Sequence, residues 1–238
     1  MTAAPGGVDL ARKAGAELVG TAFLVAAVVG SGIMATRLSP DDVGLQLLQN
    51  SIATGAVLVA LILALHPVSA AFNPVISLVE VVLGMVTPRV AAVLVAAQVV
   101  GGALGAVVAN LMFDLDPVTW SATDRDAGHL WLGEAVATFG LVIVVFGAIR
   151  TGRAATLAYA VAGYITAAYW FTSSTSFANP AVTAGRMLSD TFAGIAPSSA
   201  PMFVLMQLLG GAAACAVVRL LFPRPLPTPA TEPERAKT

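Results

Sequence analysis

The chain has 238 residues, 58% hydrophobic and 11% charged, with a formal net charge of -1 and a mean hydropathy of +0.87. Soluble domains carry about 25% charged residues, so this composition excludes a soluble globule, and the absence of a basic excess excludes a nucleic-acid partner. A single cysteine, Cys215, lies in the last apolar run, so no intrachain disulfide can form and a redox role is disfavoured.

The apolar runs have the length of membrane helices, about 20 residues, and lack the ten-residue alternation of a transmembrane barrel. An all-α membrane protein is expected. Residues 1–9 read as a tail. A first helix covers about 10–36; Arg12 and Lys13 precede its apolar stretch, which is too long for a signal-peptide core and contains Glu17. After a polar loop comes a helix over about 45–65, stopped by His66-Pro67. An irregular stretch, 68–72, leads into a short helix from Asn73 to about Gly84. Thr87-Pro88 caps a full helix ending near Phe113. The loop to Gly128 carries Asp114, Asp116, Asp124 and Asp126 and belongs in water. Helices follow over about 129–149 and 154–172, then an irregular Ser/Thr-rich stretch, a short helix from Asn179 and a last helix over about 200–222. The proline-rich segment 223–238 reads as a disordered cytoplasmic tail. One membrane domain, 10–222, is expected, with repeat one at 10–113 and repeat two at 129–222.

The two short helices begin at Asn73-Pro74-Val75 and Asn179-Pro180-Ala181. Asn serves as the N-cap and Pro as the first helical residue, so two helices start inside the membrane. The halves replay one another: Glu17-x-x-x-Thr21 matches Glu134-x-x-x-Thr138, Asn73 to Ser77 matches Asn179 to Thr183, and Gln98 to Ala103 matches Gln207 to Ala212. Each half has three spans, so the repeats are inverted. With six spans, Arg12, Lys13, Arg89, Arg150, Arg153, Arg219, Arg224, Arg235 and Lys237 share one side, and only Arg37, Arg125 and Arg186 fall opposite. The positive-inside rule then puts both termini in the cytoplasm.

Broken helices at membrane depth are tolerated only where buried in protein or lining a watery cavity. Two inverted half-helices therefore present positive N-termini to one another near the midplane. They repel cations and protons, while the Asn amides offer donors to a neutral hydroxylated solute.

This pair of boxes, with the matched Glu and Gly-rich signatures, resembles the aquaporin, or major intrinsic protein, family over about residues 10–222. The resemblance implies a right-handed bundle of six transmembrane helices plus two re-entrant half-helices, one pore per protomer in a homotetramer, and no cofactor. Family members usually carry Arg directly after the second box; here that position is Val182. Counting from the box puts the other filter positions at Ser176 and Ala167, with Ala53 or Thr54 from the second helix, so neither an arginine nor an aromatic is expected in a wide, weakly polar filter. Residues 174–197 are similar to the bacterial branch associated with arsenic-resistance operons. Water, glycerol-like solutes, arsenite and methylated arsenicals are the implied cargo.

Glu17 and Glu134, ionisable groups within spans, are expected to support the re-entrant loops, as the resemblance implies, in preference to relaying protons. Arg186 and Asp190, four apart, are expected to pair at the outer mouth; partial replacement of the missing filter charge by Arg186 is the secondary reading. No metal-ligand set or catalytic constellation is evident, which disfavours an enzyme. The rival class is an inverted-repeat secondary transporter, which would need a free ionisable group for a coupling ion.

Overall fold

In the computed structural model, residues 9–223 are described; the tail segments 1–8 and 224–238 lie outside the described residues. Eight α-helices follow in order: α1 Leu10–Leu38, α2 Val43–Leu65, α3 Pro74–Val82, α4 Pro88–Met112, α5 Gly128–Arg150, α6 Leu157–Phe171, α7 Pro180–Arg186 and α8 Ala200–Leu221. Local chemistry explains most ends. Asp42 accepts the Leu45 N–H and Thr87 the Val90 N–H, capping α2 and α4. Gly84 and Gly152 take positive φ just past α3 and α5. There Met85 N–H bonds Glu80 C=O and Arg153 N–H bonds Ala148 C=O, closing both helices in the Schellman manner.

Five helices are long and apolar enough to cross a membrane: α1, α2, α4, α5 and α8. The expected helix at 154–172 is present as a 3-10 turn, Ala154–Thr156, running directly into the 15-residue α6. At 1.5 Å per residue, α6 is about 22 Å long, shorter than the roughly 30 Å hydrocarbon layer.

In each half, the first long helix packs most closely on the last, α1 on α4 and α5 on α8. Glycines permit this contact. A Cβ at Gly101 would strike the Leu18 carbonyl, and one at Gly210 would strike the Ala135 carbonyl, the equivalent atom of the other half. Small residues let helix backbones approach in a membrane, where packing rather than hydrophobicity drives association. The inter-repeat loop, 114–127, folds back over the outer end of α7: Thr119 and Ser121 N–H groups bond the carbonyls of Leu188 and Met187.

Gly210→Val is expected to force α5 and α8 apart, and overpacking of this kind costs about 1–3 kcal/mol. Thermal unfolding in detergent should show a lower transition than the parent; an unchanged transition would mean the helices slide without cost.

Candidate functional site

Short half-helices place the two boxes at the centre of the molecule. Asn73 and Asn179 adopt nearly the same extended backbone, φ -153° and -159°, and each caps its own helix: Asn73 Oδ1 accepts the Val75 N–H at 2.9 Å, and Asn179 Oδ1 accepts those of Ala181 and Val182 at 3.0 and 3.3 Å. The amide nitrogens then cross. Asn73 Nδ2 donates to the Ala178 carbonyl at 2.8 Å, and Asn179 Nδ2 donates to the Phe72 carbonyl at 2.7 Å. Phe72 and Ala178 each immediately precede an asparagine, so α3 and α7 meet head to head and are laced by a reciprocal pair of hydrogen bonds. One amide hydrogen of each Asn is spent on this bond, leaving one donor each; both residues line the central cavity.

The segments entering the boxes are strained. Phe72 and Ala178 both have φ 48°, a left-handed conformation that costs a residue with a Cβ about 1–2 kcal/mol. Two carboxylates hold them there. Glu17 Oε1 accepts from Ser69 Oγ at 2.5 Å and the Ala71 N–H at 2.8 Å, while Oε2 accepts from the Phe72 N–H at 2.6 Å and Gln98 Nε2 at 2.8 Å. Glu134 accepts from the Phe177 and Ala178 N–H groups, both at 2.9 Å, and from Gln207 Nε2 at 2.6 Å. Each glutamine also donates into its half-helix, Gln98 to Ser77 Oγ and Gln207 to Thr183 Oγ1. The residues matched in the sequence repeat, Glu17 with Gln98 and Ser77, and Glu134 with Gln207 and Thr183, thus form two copies of one network. All six are fully buried.

A cavity of ≈ 80 Å³ runs past both asparagines. Its wall is built from every fourth residue of the surrounding helices: Thr54, Leu58 and Ile62 on α2, and Leu157, Val161, Ile165 and Tyr169 on α6. The α6 stripe alone covers about 18 Å of depth. Leu24 and Val28 on α1 are matched by their repeat counterparts Leu141 and Val145 on α5. The inner stretch is apolar. The end nearest Arg186 is polar, where Thr54 Oγ1 and the Tyr169 hydroxyl lie 3.1 Å apart and the buried Ser176 Oγ has no partner among the described residues.

Of the filter positions expected from the sequence, Val182, Ser176 and Thr54 line this cavity. Ala53 does not; it faces a separate groove with α1 and α4. Ala167 is exposed and also off the wall, and Tyr169 takes its place. Two residues turn a helix by about 200°, so a two-residue counting error moves the side chain to the opposite face. The expectation of a filter without an aromatic or an arginine is therefore corrected: Tyr169 and Phe177 line the cavity, and so does Arg186. Arg186 does not pair with Asp190. Its Nε donates to the Ala193 carbonyl and its guanidinium carbon lies 3.3 Å from the Phe177 ring centroid, while Asp190 Oδ1 accepts the Ala122 N–H at 2.9 Å. Sequence spacing missed this because both partners come from loops that fold back from elsewhere.

Head-to-head half-helices inside an inverted pair of helical halves define a class, and comparison with known proteins agrees. The chain belongs to the major intrinsic protein family, whose description matches residues 7–172 and 148–236. It is 51% identical over 214 residues to "Aquaglyceroporin AqpS" of Rhizobium meliloti (strain 1021), a match covering 90% of this chain and 91% of that protein. Among solved structures, the aquaglyceroporin from Plasmodium falciparum superposes with a TM-score of 0.68 at 15% identity, over 89% of this chain and all of that one. That likeness shows a common fold.

Glu134→Gln is nearly isosteric but turns an acceptor into an amide that faces buried N–H donors. Losing a charged acceptor and leaving buried donors unpaired costs about 2–4 kcal/mol. A lower unfolding temperature together with lost water flux is the expected result, and Glu17→Gln should behave alike; normal flux in either would show that the loop is held by other contacts.

Proposed function

We propose that the protein is a passive channel for water and small neutral solutes of glycerol type, extending to arsenite and methylated arsenicals. The observation that carries this reading is the cavity that passes both asparagines, each keeping one amide hydrogen for a passing oxygen. Half-helix N-termini carry roughly half a positive charge each, so a cation meets repulsion at the same point where a hydroxyl finds donors. The small Val182 side chain supports passage of solutes wider than water.

A coupled transporter needs an ionisable group free to bind its driving ion. Glu17 and Glu134 accept from loop N–H groups and from Gln98 and Gln207, and neither lines the cavity. That favours the channel over a transporter, and nothing in the constellation resembles an enzyme's acid–base or nucleophile pair. The charge distribution between loops supports cytoplasmic termini in a bacterial-type inner membrane, and family membership supports a homotetramer.

Stopped-flow light scattering on proteoliposomes tests the reading with water, glycerol and arsenite in turn. Each should equilibrate faster than in empty vesicles; if none does, the channel reading fails. Val182→Arg should slow glycerol on the order of tenfold, comparable to a pocket's discrimination over a methylene group, and slow water much less. Equal loss of both would locate the constriction elsewhere.

A further inference from the structure

One charge type lines the pathway. In the cavity the sole formally charged lining residue is Arg186, and the outer vestibule beyond it, ≈ 160 Å³, is lined by Arg186 and Arg125 with otherwise uncharged residues. Arg186 is 3% exposed. Its Nε is bound to the Ala193 carbonyl, its plane lies against Phe177, and its two terminal nitrogens have no acceptor among the described residues. A buried guanidinium retains its charge in proteins and is costly to hold without compensating partners. On the side open to the cavity, water or a solute oxygen would supply them.

The mounting is rigid. Phe177 is fixed through its N–H to Glu134 and through an edge-to-face contact with Phe203 at 5.1 Å, and Arg125 approaches the same ring at 5.0 Å with its Nε on the Gly194 carbonyl. Arg186 follows Val182 by four residues on α7, which puts it on the same face about 6 Å further along the axis. The opposite end of the cavity, around Ile62, Leu157 and Val161, carries no formal charge.

We infer that Arg186, backed by Arg125, is the charge filter of this pore, set one helical turn outside the narrowing at Val182. It takes the oxygen of an entering hydroxylated solute and turns back cations before they reach the asparagines. Separating charge from width leaves the narrowing free of a bulky side chain. Cation exclusion then depends on two places, the mouth and the midplane. This inference rests on the channel reading above.

The test compares glycerol and guanidinium ion, a small and permanently charged probe, on the same proteoliposomes. The parent should pass glycerol and exclude guanidinium to the level of empty vesicles. Arg186→Gln should lower glycerol flux without abolishing it, because a solute contact is weakened, and raise guanidinium uptake by about tenfold or more, as expected from removing a unit charge a few ångströms from the path; Arg186→Lys should keep the exclusion. An Arg186→Gln channel that passes glycerol and still excludes guanidinium overturns the inference. Should that variant fail to assemble, seen as lost glycerol flux, Arg125→Gln in the half-buried loop decides: a smaller rise in guanidinium uptake upholds it and no rise overturns it. A parent that moves no glycerol would instead sink the channel reading, a separate result.

Discussion

The fold depends on two carboxylates with no solvent contact. A helix that starts inside a bilayer leaves orphan N–H groups where no lipid can accept them, and the chain leading into it must turn through a conformation that Phe72 and Ala178 resist. Asn73 and Asn179 meet the first by accepting first-turn N–H groups; Glu17 and Glu134 meet the second, accepting the N–H groups of 71 and 72 in one half and 177 and 178 in the other. Burying a carboxylate costs several kcal/mol, offset by charge-assisted bonds worth about 1.5–3 kcal/mol each. The turns in turn aim the Phe72 and Ala178 carbonyls at the opposing asparagines. Without the carboxylates, the crossed amide bonds that join the two halves would lose their acceptors.

The halves are equivalent in polar chemistry and differ in how volume is distributed. Val75 in the first box packs on Gly211, whereas Ala181 in the second leaves its carbonyl against Gly102. Phe72 lies on Gly20, while the repeat counterparts of these two positions are the buried Ala178 and Ala137. At the second pair of positions a large residue facing glycine in one half is replaced by two alanines in the other, a redistribution of volume expected where interiors are close-packed. Polar residues do not follow this symmetry. They collect at the outer end, in Thr54, Tyr169, Ser176 and Arg186, and the inner wall stays apolar.

What the sequence revealed was local or repeated. The boxes are helix caps readable from three residues, and the paired Glu, Gln and Ser or Thr positions declared themselves by recurring in order. The topology follows from counting helices, and the one expected over 154–172 is present as a 3-10 turn running into α6. The filter was less legible. Thr54, Ser176 and Val182 came from counting near the boxes, but Ala167 and Tyr169 stand on opposite faces of α6, and no local signal distinguished them. Arg186 lay further from reach: its position is set by Phe177, by Ala193 and by a loop from residues 114–127 that captures Asp190, none of which is near it in a helical register.

Width and charge are therefore separable variables in this pore. A single arginine at the narrowing would couple them, since its side chain both blocks and repels. On the proposed reading, with Val182 at the wall and Arg186 a turn along α7, a solute would lose water beside a fixed donor, then pass apolar surface and the Ser176 hydroxyl, then meet the two asparagine amides. A hydroxylated molecule finds oxygen-binding groups spaced along that route, and a compact cation finds positive potential at both the first and the last of them. Selection by size can then drift with the residue at 182 while selection by charge is preserved.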